Sequence, residues 1–169
     1  MRFKLIGTLA AVVLLAACET APQNQAATGS TGAAAAPAAA APAPATRPGP
    51  RPGSQEDLVQ NVGDRVFYDY DKSELRPEAR RTVERWAAWL RQYPQVTVTI
   101  EGHADERGTR EYNIALGERR ATAARNFLVS QGIEARRVAT ISYGKERPAV
   151  LGSNEAAWSQ NRRGVMQVN

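Results

Sequence analysis

The chain holds 169 residues with a formal net charge of +5, enough for one domain and additional segments. The charge is unevenly placed. From Ser54 onward, 18 Lys and Arg stand against 16 Asp and Glu, a mixed surface that excludes the one-sided basic footprint of a nucleic-acid binder. Its only cysteine, Cys18, excludes a disulfide framework within the chain.

Arg2 and Lys4 precede a short apolar run from Leu5 to Ala17 that ends in Leu15-Ala16-Ala17-Cys18. Basic start, apolar run and small residues predict a secretory signal over residues 1–17. The run is too short for a comfortable permanent membrane span. Cys18 is either a leftover thiol in an ordinary signal or the lipidated first residue of the mature chain. The tetrad resembles a bacterial lipobox, which favours the second reading. Each buried CH₂ of an acyl chain, palmitate for example, contributes about 0.8 kcal/mol, so several chains on one residue anchor stably. Glu19 follows Cys18. In lipoproteins of this kind an Asp there often means inner-membrane retention, so its absence implies the outer membrane.

Between Ala21 and Gly53 lie 13 Ala, 7 Pro and 4 Gly, with no aromatic residue. Such a stretch buries too little apolar surface to offset its ordering entropy, and its prolines interrupt any helix in the Ala runs. Residues 18–54 are therefore expected to be a lipidated cysteine and a tether. Fully extended, the tether reaches roughly 100 Å at about 3.1 Å per residue.

The folded domain is expected over residues 55–169. Arg65-Val66-Phe67-Tyr68 reads as a short strand, followed by the polar loop Asp69 to Ser73. Pro77 suits the first turn of a helix. Along that helix Val83, Trp86 and Leu90 recur on one face beside Ala79 and Ala87, with Trp89 on the outer side. Pro94 closes it. Val96 to Ile100 is rich in β-branched residues and reads as a second strand that breaks at Gly102. In the helix that follows, Tyr112, Leu116, Ala123 and Phe127 predict one apolar face. Gly132 suits its C-terminal end. Val138 to Ser142 is a third strand, Glu155 to Gln160 a helical turn, and Gly164 to Val168 a last strand. The order β-α-β-α-β-loop-β predicts an α/β fold, an α+β sandwich with helices packed on a four-stranded mixed sheet.

Three clusters converge at one end of that sheet: Asp71 after the first strand, His103 to Thr109 after the second, and Arg119 with Arg120 in the second helix. Ligands of open α/β sheets tend to bind outside the carboxyl ends of strands. Asp105 on the loop and Arg120 on the helix suit a ligand that carries both an amine and a carboxylate. The same pair also reads as a structural ion pair, and Asp71 as a cap before the first helix. His103 is the only histidine. With no cysteine in the domain it makes a poor metal site, and it is expected to pack or to order its loop.

Glu101-Gly102-His103-Ala104-Asp105-Glu106-Arg107-Gly108-Thr109, then Glu111-Tyr112-Asn113, then Leu116-Gly117-Glu118-Arg119-Arg120-Ala121 resemble the signature of the OmpA-like family of cell-wall-binding domains, in its peptidoglycan-associated lipoprotein branch. Ser142 to Glu146, Pro148 to Gly152 and Asn161-Arg162-Arg163 extend the resemblance over about residues 64–168. Tyr70 stands where the family often has Phe, and Arg110 where this branch usually has Pro. The resemblance implies a ligand, the peptidoglycan stem peptide and chiefly its meso-diaminopimelate. Asp105 would hold the ammonium and Arg120 the carboxylate. Asp71 and Tyr70 would flank the stem, and Thr109, Asn113 and Leu116 would complete the pocket, with Arg107 beside them. It also implies protein partners of the Tol–Pal envelope and cell-division system, notably TolB, and no cofactor. An enzyme acting on peptidoglycan, with Asp71 and Asp105 as its carboxylate pair, and a pure protein-interaction scaffold are the competing functions.

Overall fold

The computed structural model describes residues 49–169. The expected signal over 1–17, Cys18 with its lipid, and the tether up to residue 48 lie outside the described residues. The fold starts with a helix that apolar periodicity does not announce, α1 over Gln55–Asn61. Seven residues hold too few turns for a pattern. The start rests instead on a cap: Ser54 Oγ accepts from Asp57 N at 3.2 Å, and Gly53 N donates to Asp57 Oδ2 at 3.0 Å.

Strand β1, Arg65–Phe67, leads to α2, Pro77–Gln92, with Pro77 in its first turn. Helix α2 buries Ala79, Val83, Trp86, Ala87 and Leu90, the face its spacing predicts. It buries Trp89 as well, which was expected on the outer side. The Trp89 indole Nε1 donates to Asp57 Oδ2 at 2.9 Å, so the unannounced α1 is what covers it. Then come β2 (Val98–His103), α3 (Arg110–Ser130), a 3₁₀ turn at Ala135–Arg137, β3 (Val138–Gly144), α4 (Glu155–Asn161) and β4 (Arg163–Val168).

The four strands form one mixed sheet in the order β1-β4-β2-β3. Strands β2 and β3 are parallel, and β4 runs antiparallel to both β2 and β1. The expected α/β architecture is present. Strands β1, β2 and β3 therefore point the same way, and the loops after β1 and β2 share one end of the sheet with the start of β4. Val98, Ile100 and Met166 of the sheet pack with Val83, Trp86 and Leu90 of α2 and with Ala121, Ala124 and Leu128 of α3. Burying one such large side chain contributes about 1.5–3 kcal/mol.

Two expectations need correction. Gly102 does not break β2: the strand runs through it to His103. A Cβ at Gly102 would stand 1.8 Å from the Gly117 carbonyl oxygen. The glycine is there because α3 crosses β2 at backbone contact. The buried stripe of α3 is also rotated from the one its apolar residues suggest. It runs through Asn113, Leu116, Gly117, Arg120, Ala121, Ala124 and Leu128, and Tyr112 is exposed. Three of those positions are polar or glycine, so hydrophobic spacing does not reveal them. Helix α3 ends as expected, with Gly132 at φ +88°. Gly132 N bonds Val129 O at 2.9 Å and Ile133 N bonds Leu128 O at 3.1 Å, the double closure of a Schellman turn.

Candidate functional site

Asp105 is the second residue after β2 and is 5% exposed. Its Oδ1 accepts from Arg107 N at 3.1 Å and from Arg107 Nε at 3.2 Å. Its Oδ2 accepts from Arg107 Nη2 at 2.6 Å and Arg162 Nη1 at 3.4 Å. Burial alone would raise the Asp105 carboxyl. The hydrogen bonds and charge of Arg107, with the Arg162 bond, outweigh it and hold the group below the usual carboxylate value.

Arg120 sits almost three turns into α3 and is fully buried. Its guanidinium donates to three backbone carbonyls: Lys72 O at 2.8 Å, His103 O at 2.7 Å and Asp69 O at 3.1 Å. A guanidinium has five N–H donors, so two remain. Among the described residues no carboxylate lies within 4.0 Å of it, whereas Asp105 pairs with Arg107 and Arg162. The Asp105–Arg120 pair is thus not a structural ion pair. Burial pushes Arg120 down to about 10, which leaves it charged at neutral pH.

Asp71 is the one non-glycine residue at positive φ among the described residues, +55°. A left-handed backbone at such a residue is strained and is common at binding sites. Its carboxylate does not cap α2, whose N-cap is Arg76; it accepts from the Tyr112 hydroxyl. Thr109 Oγ1 accepts from Tyr112 N at 3.2 Å and so caps α3. Asn113 Nδ2 donates to Arg107 O at 2.9 Å and fixes the loop between them.

These groups enclose a pocket of about 160 Å³, lined by Tyr70, Asp71, Asp105, Arg107, Gly108, Tyr112, Asn113, Leu116 and Arg120. Seven of the eight residues singled out in the sequence are on that wall, and the eighth, Thr109, orders the helix behind it. Tyr112 and Gly108 were not singled out, and for Arg162 and Arg163 the sequence leaves two readings open, a buttress of the site or a solvent-facing pair. The Asn161-Arg162-Arg163 motif is the only sequence signal that points to Arg162. Arg162 lies between the end of α4 and the start of β4, and the antiparallel direction of that strand brings it to the pocket end. Arg162 Nε donates to Tyr68 O at 3.2 Å and its Nη2 to Glu155 Oε1, so it braces Asp105 from behind. Arg163 instead donates to Asn161 O and Arg147 O. His103 is 2% exposed, packed 5.5 Å from the Tyr143 ring, and orders the site through its carbonyl on Arg120.

A buried cation with two free donors and two carboxylates around one small cavity suits a zwitterion. Fold and pocket define a small α/β ligand-binding domain. A family model described as "OmpA family" matches residues 67–162. The peptidoglycan-associated lipoprotein of Agrobacterium fabrum is 58% identical over 114 residues, 68% of this chain and 64% of that relative's length. Its namesake in Mesorhizobium japonicum is 49% identical over 159 residues, 93% of this chain and 86% of the relative. The crystal structure of the peptidoglycan-associated lipoprotein from Burkholderia pseudomallei is 35% identical, with a TM-score of 0.63 over 67% of this chain and all of that one. The chain belongs to the OmpA family, among its peptidoglycan-associated lipoproteins. The family is not enzymatic, and the chain is not an enzyme.

Proposed function

We propose that this chain is an outer-membrane lipoprotein that binds peptidoglycan non-covalently through the meso-diaminopimelate of its stem peptide. Diaminopimelate ends in one carbon bearing an ammonium and a carboxylate. Arg120 takes the carboxylate, Asp105 takes the ammonium, and Asp71 with Tyr70 flanks the stem. The observation that carries the reading is Arg120 itself, a buried cation without a carboxylate partner among the described residues, on the same wall as two acids. Charge-assisted bidentate bonds are the strongest that such a site offers.

The lipobox-like tetrad before Cys18 supports a lipid anchor, and no helix of the described residues is long and apolar enough to cross a membrane. With a lipid on Cys18 and the wall-binding domain over residues 55–169, the chain links outer membrane to cell wall. The family resemblance supports a role for this link in the Tol–Pal envelope and cell-division system, with the domain facing the periplasm and TolB as its partner. Co-sedimentation with purified sacculi tests the binding. Wild-type chain is expected in the pellet with no soluble wall fragments released, and Arg120→Ala in the supernatant. Equal pelleting of both forms would contradict the reading.

A further inference from the structure

The pocket already contains a cation, and it comes from the protein. A carboxylate offers about four acceptor positions. On Asp105 they are taken by Arg107 N, Nε and Nη2 and by Arg162 Nη1. A ligand ammonium finds none open. One donor must leave, and the two arginines differ in what holds them. The Arg162 side chain is 7% exposed and is tied to Tyr68 O and Glu155 as well. The Arg107 side chain is 30% exposed. Its guanidinium carbon lies 4.0 Å from the Tyr70 ring centroid and 4.0 Å from that of Trp158, a seat that attracts any cation. Trp158 is not on the pocket wall. It stands on α4, and its Nε1 donates to Glu106 Oε1 at 2.9 Å.

We infer that Arg107 is an internal stand-in for the ligand: its guanidinium occupies on Asp105 the place of the incoming ammonium and swings out when ligand binds. The inference rests on the zwitterion reading of the pocket. Exchange of one cation for another on Asp105 is nearly even. The net gain comes from Arg120, whose two free donors are met only by a carboxylate. An amine that arrives alone displaces Arg107 for nothing, whereas an amine with a carboxylate on the same carbon gains the second contact. Arg107 is therefore a specificity-determining residue. It rejects stem peptides that end in lysine, whose side chain has the ammonium but lacks the carboxylate.

Calorimetric titration of the full-length chain with two synthetic stem peptides, one ending in meso-diaminopimelate and one in L-lysine, tests this. Arg107→Ala is expected to bind the diaminopimelate peptide about tenfold tighter, the effect of freeing one ion pair and its aromatic seat. It is also expected to bind the lysine peptide, which the wild type rejects. Arg107→Gln, which keeps a polar side chain in the loop, moves the same way. Trp158→Ala moves the same way by less, because it only loosens the seat. In wild-type chain the Trp158 indole N–H resonance shifts when the diaminopimelate peptide is added, and in Arg107→Ala it does not. Weaker or unchanged binding of the diaminopimelate peptide by both Arg107 variants, with unfolding midpoints like the wild type, overturns the inference. That result is distinct from failure of the underlying reading, in which the wild type does not bind the peptide or Arg120→Ala binds it equally well.

Discussion

Arg120 does two jobs with one side chain. Three donors tie the loop after β1 to the loop after β2 through Asp69, Lys72 and His103 carbonyls, and two are left for an anion. Only a planar fork serves both. Arg120→Lys keeps the charge but cannot reach three carbonyls at once. Chemical denaturation of this variant is expected to show a loss of about 2–3 kcal/mol from the unsatisfied carbonyls, together with loss of wall binding. Unchanged stability would mean that the carbonyl contacts carry no weight. His103 gives a second residue-scale expectation. Burial first, then the charges of Arg163 and Arg147, push its ring down to about 4. An unfolded histidine titrates near the ordinary 6.5. Between those values the unfolded chain takes a proton that the fold refuses, so stability is full above 6.5 and falls with pH until about 4. From pH 7.5 to 5 the unfolding free energy is expected to drop by about 2 kcal/mol. No other histidine is present to blur the window. In His103→Gln the slope over that window should vanish; a persisting slope would assign it elsewhere.

At the scale of elements, the site depends on how closely α3 lies on β2. The contact is glycine on glycine. A Cβ on Gly102 meets the Gly117 carbonyl at 1.8 Å, and a Cβ on Gly117 meets Ser142 Oγ at 2.3 Å and Gly102 O at 2.8 Å. Gly102→Ala is opposed by backbone alone and is expected to cost about 3 kcal/mol or more. Gly117→Ala should cost less, since the Ser142 hydroxyl can turn away and the remaining backbone contact, 2.8 Å to Gly102 O, is far milder than 1.8 Å. Reversal of that order in urea midpoints would contradict the packing described. The same contact explains what the sequence did and did not reveal. Helix α2 lies over the sheet with an apolar face, and Val83, Trp86 and Leu90 announce it. Helix α3 carries the site, so Asn113, Gly117 and Arg120 stand in its buried stripe, and an apolar pattern search settles on Tyr112 and Phe127 instead. Short α1 rests on Ser54 and Asp57 rather than on any period. Asp71 and Asp105 were legible as neighbours because β1 and β2 run the same way and their ends share one end of the sheet, Arg120 because the next helix follows that loop, and Tyr70 only through the family resemblance. The bond of Arg107 to Asp105, two residues away, was not, because spacing does not tell which way a long side chain turns.

At the scale of the molecule, charge balance and pocket chemistry point the same way. The domain is near neutral, with 18 basic and 16 acidic residues from Ser54 onward, so general attraction to an anionic polymer contributes little. On the proposed function, recognition falls to the pocket, and within it to Arg120, the buried cation that has no carboxylate partner among the described residues. The most direct test is the affinity of the full-length chain, by calorimetry, for a stem peptide ending in meso-diaminopimelate against the same peptide with the side-chain carboxylate, the one on the carbon that bears the free ammonium, amidated. The free acid is expected to bind at least about tenfold more tightly, a difference of about 1.4 kcal/mol, and Arg120→Ala to remove the preference. Equal affinity for acid and amide would contradict the account.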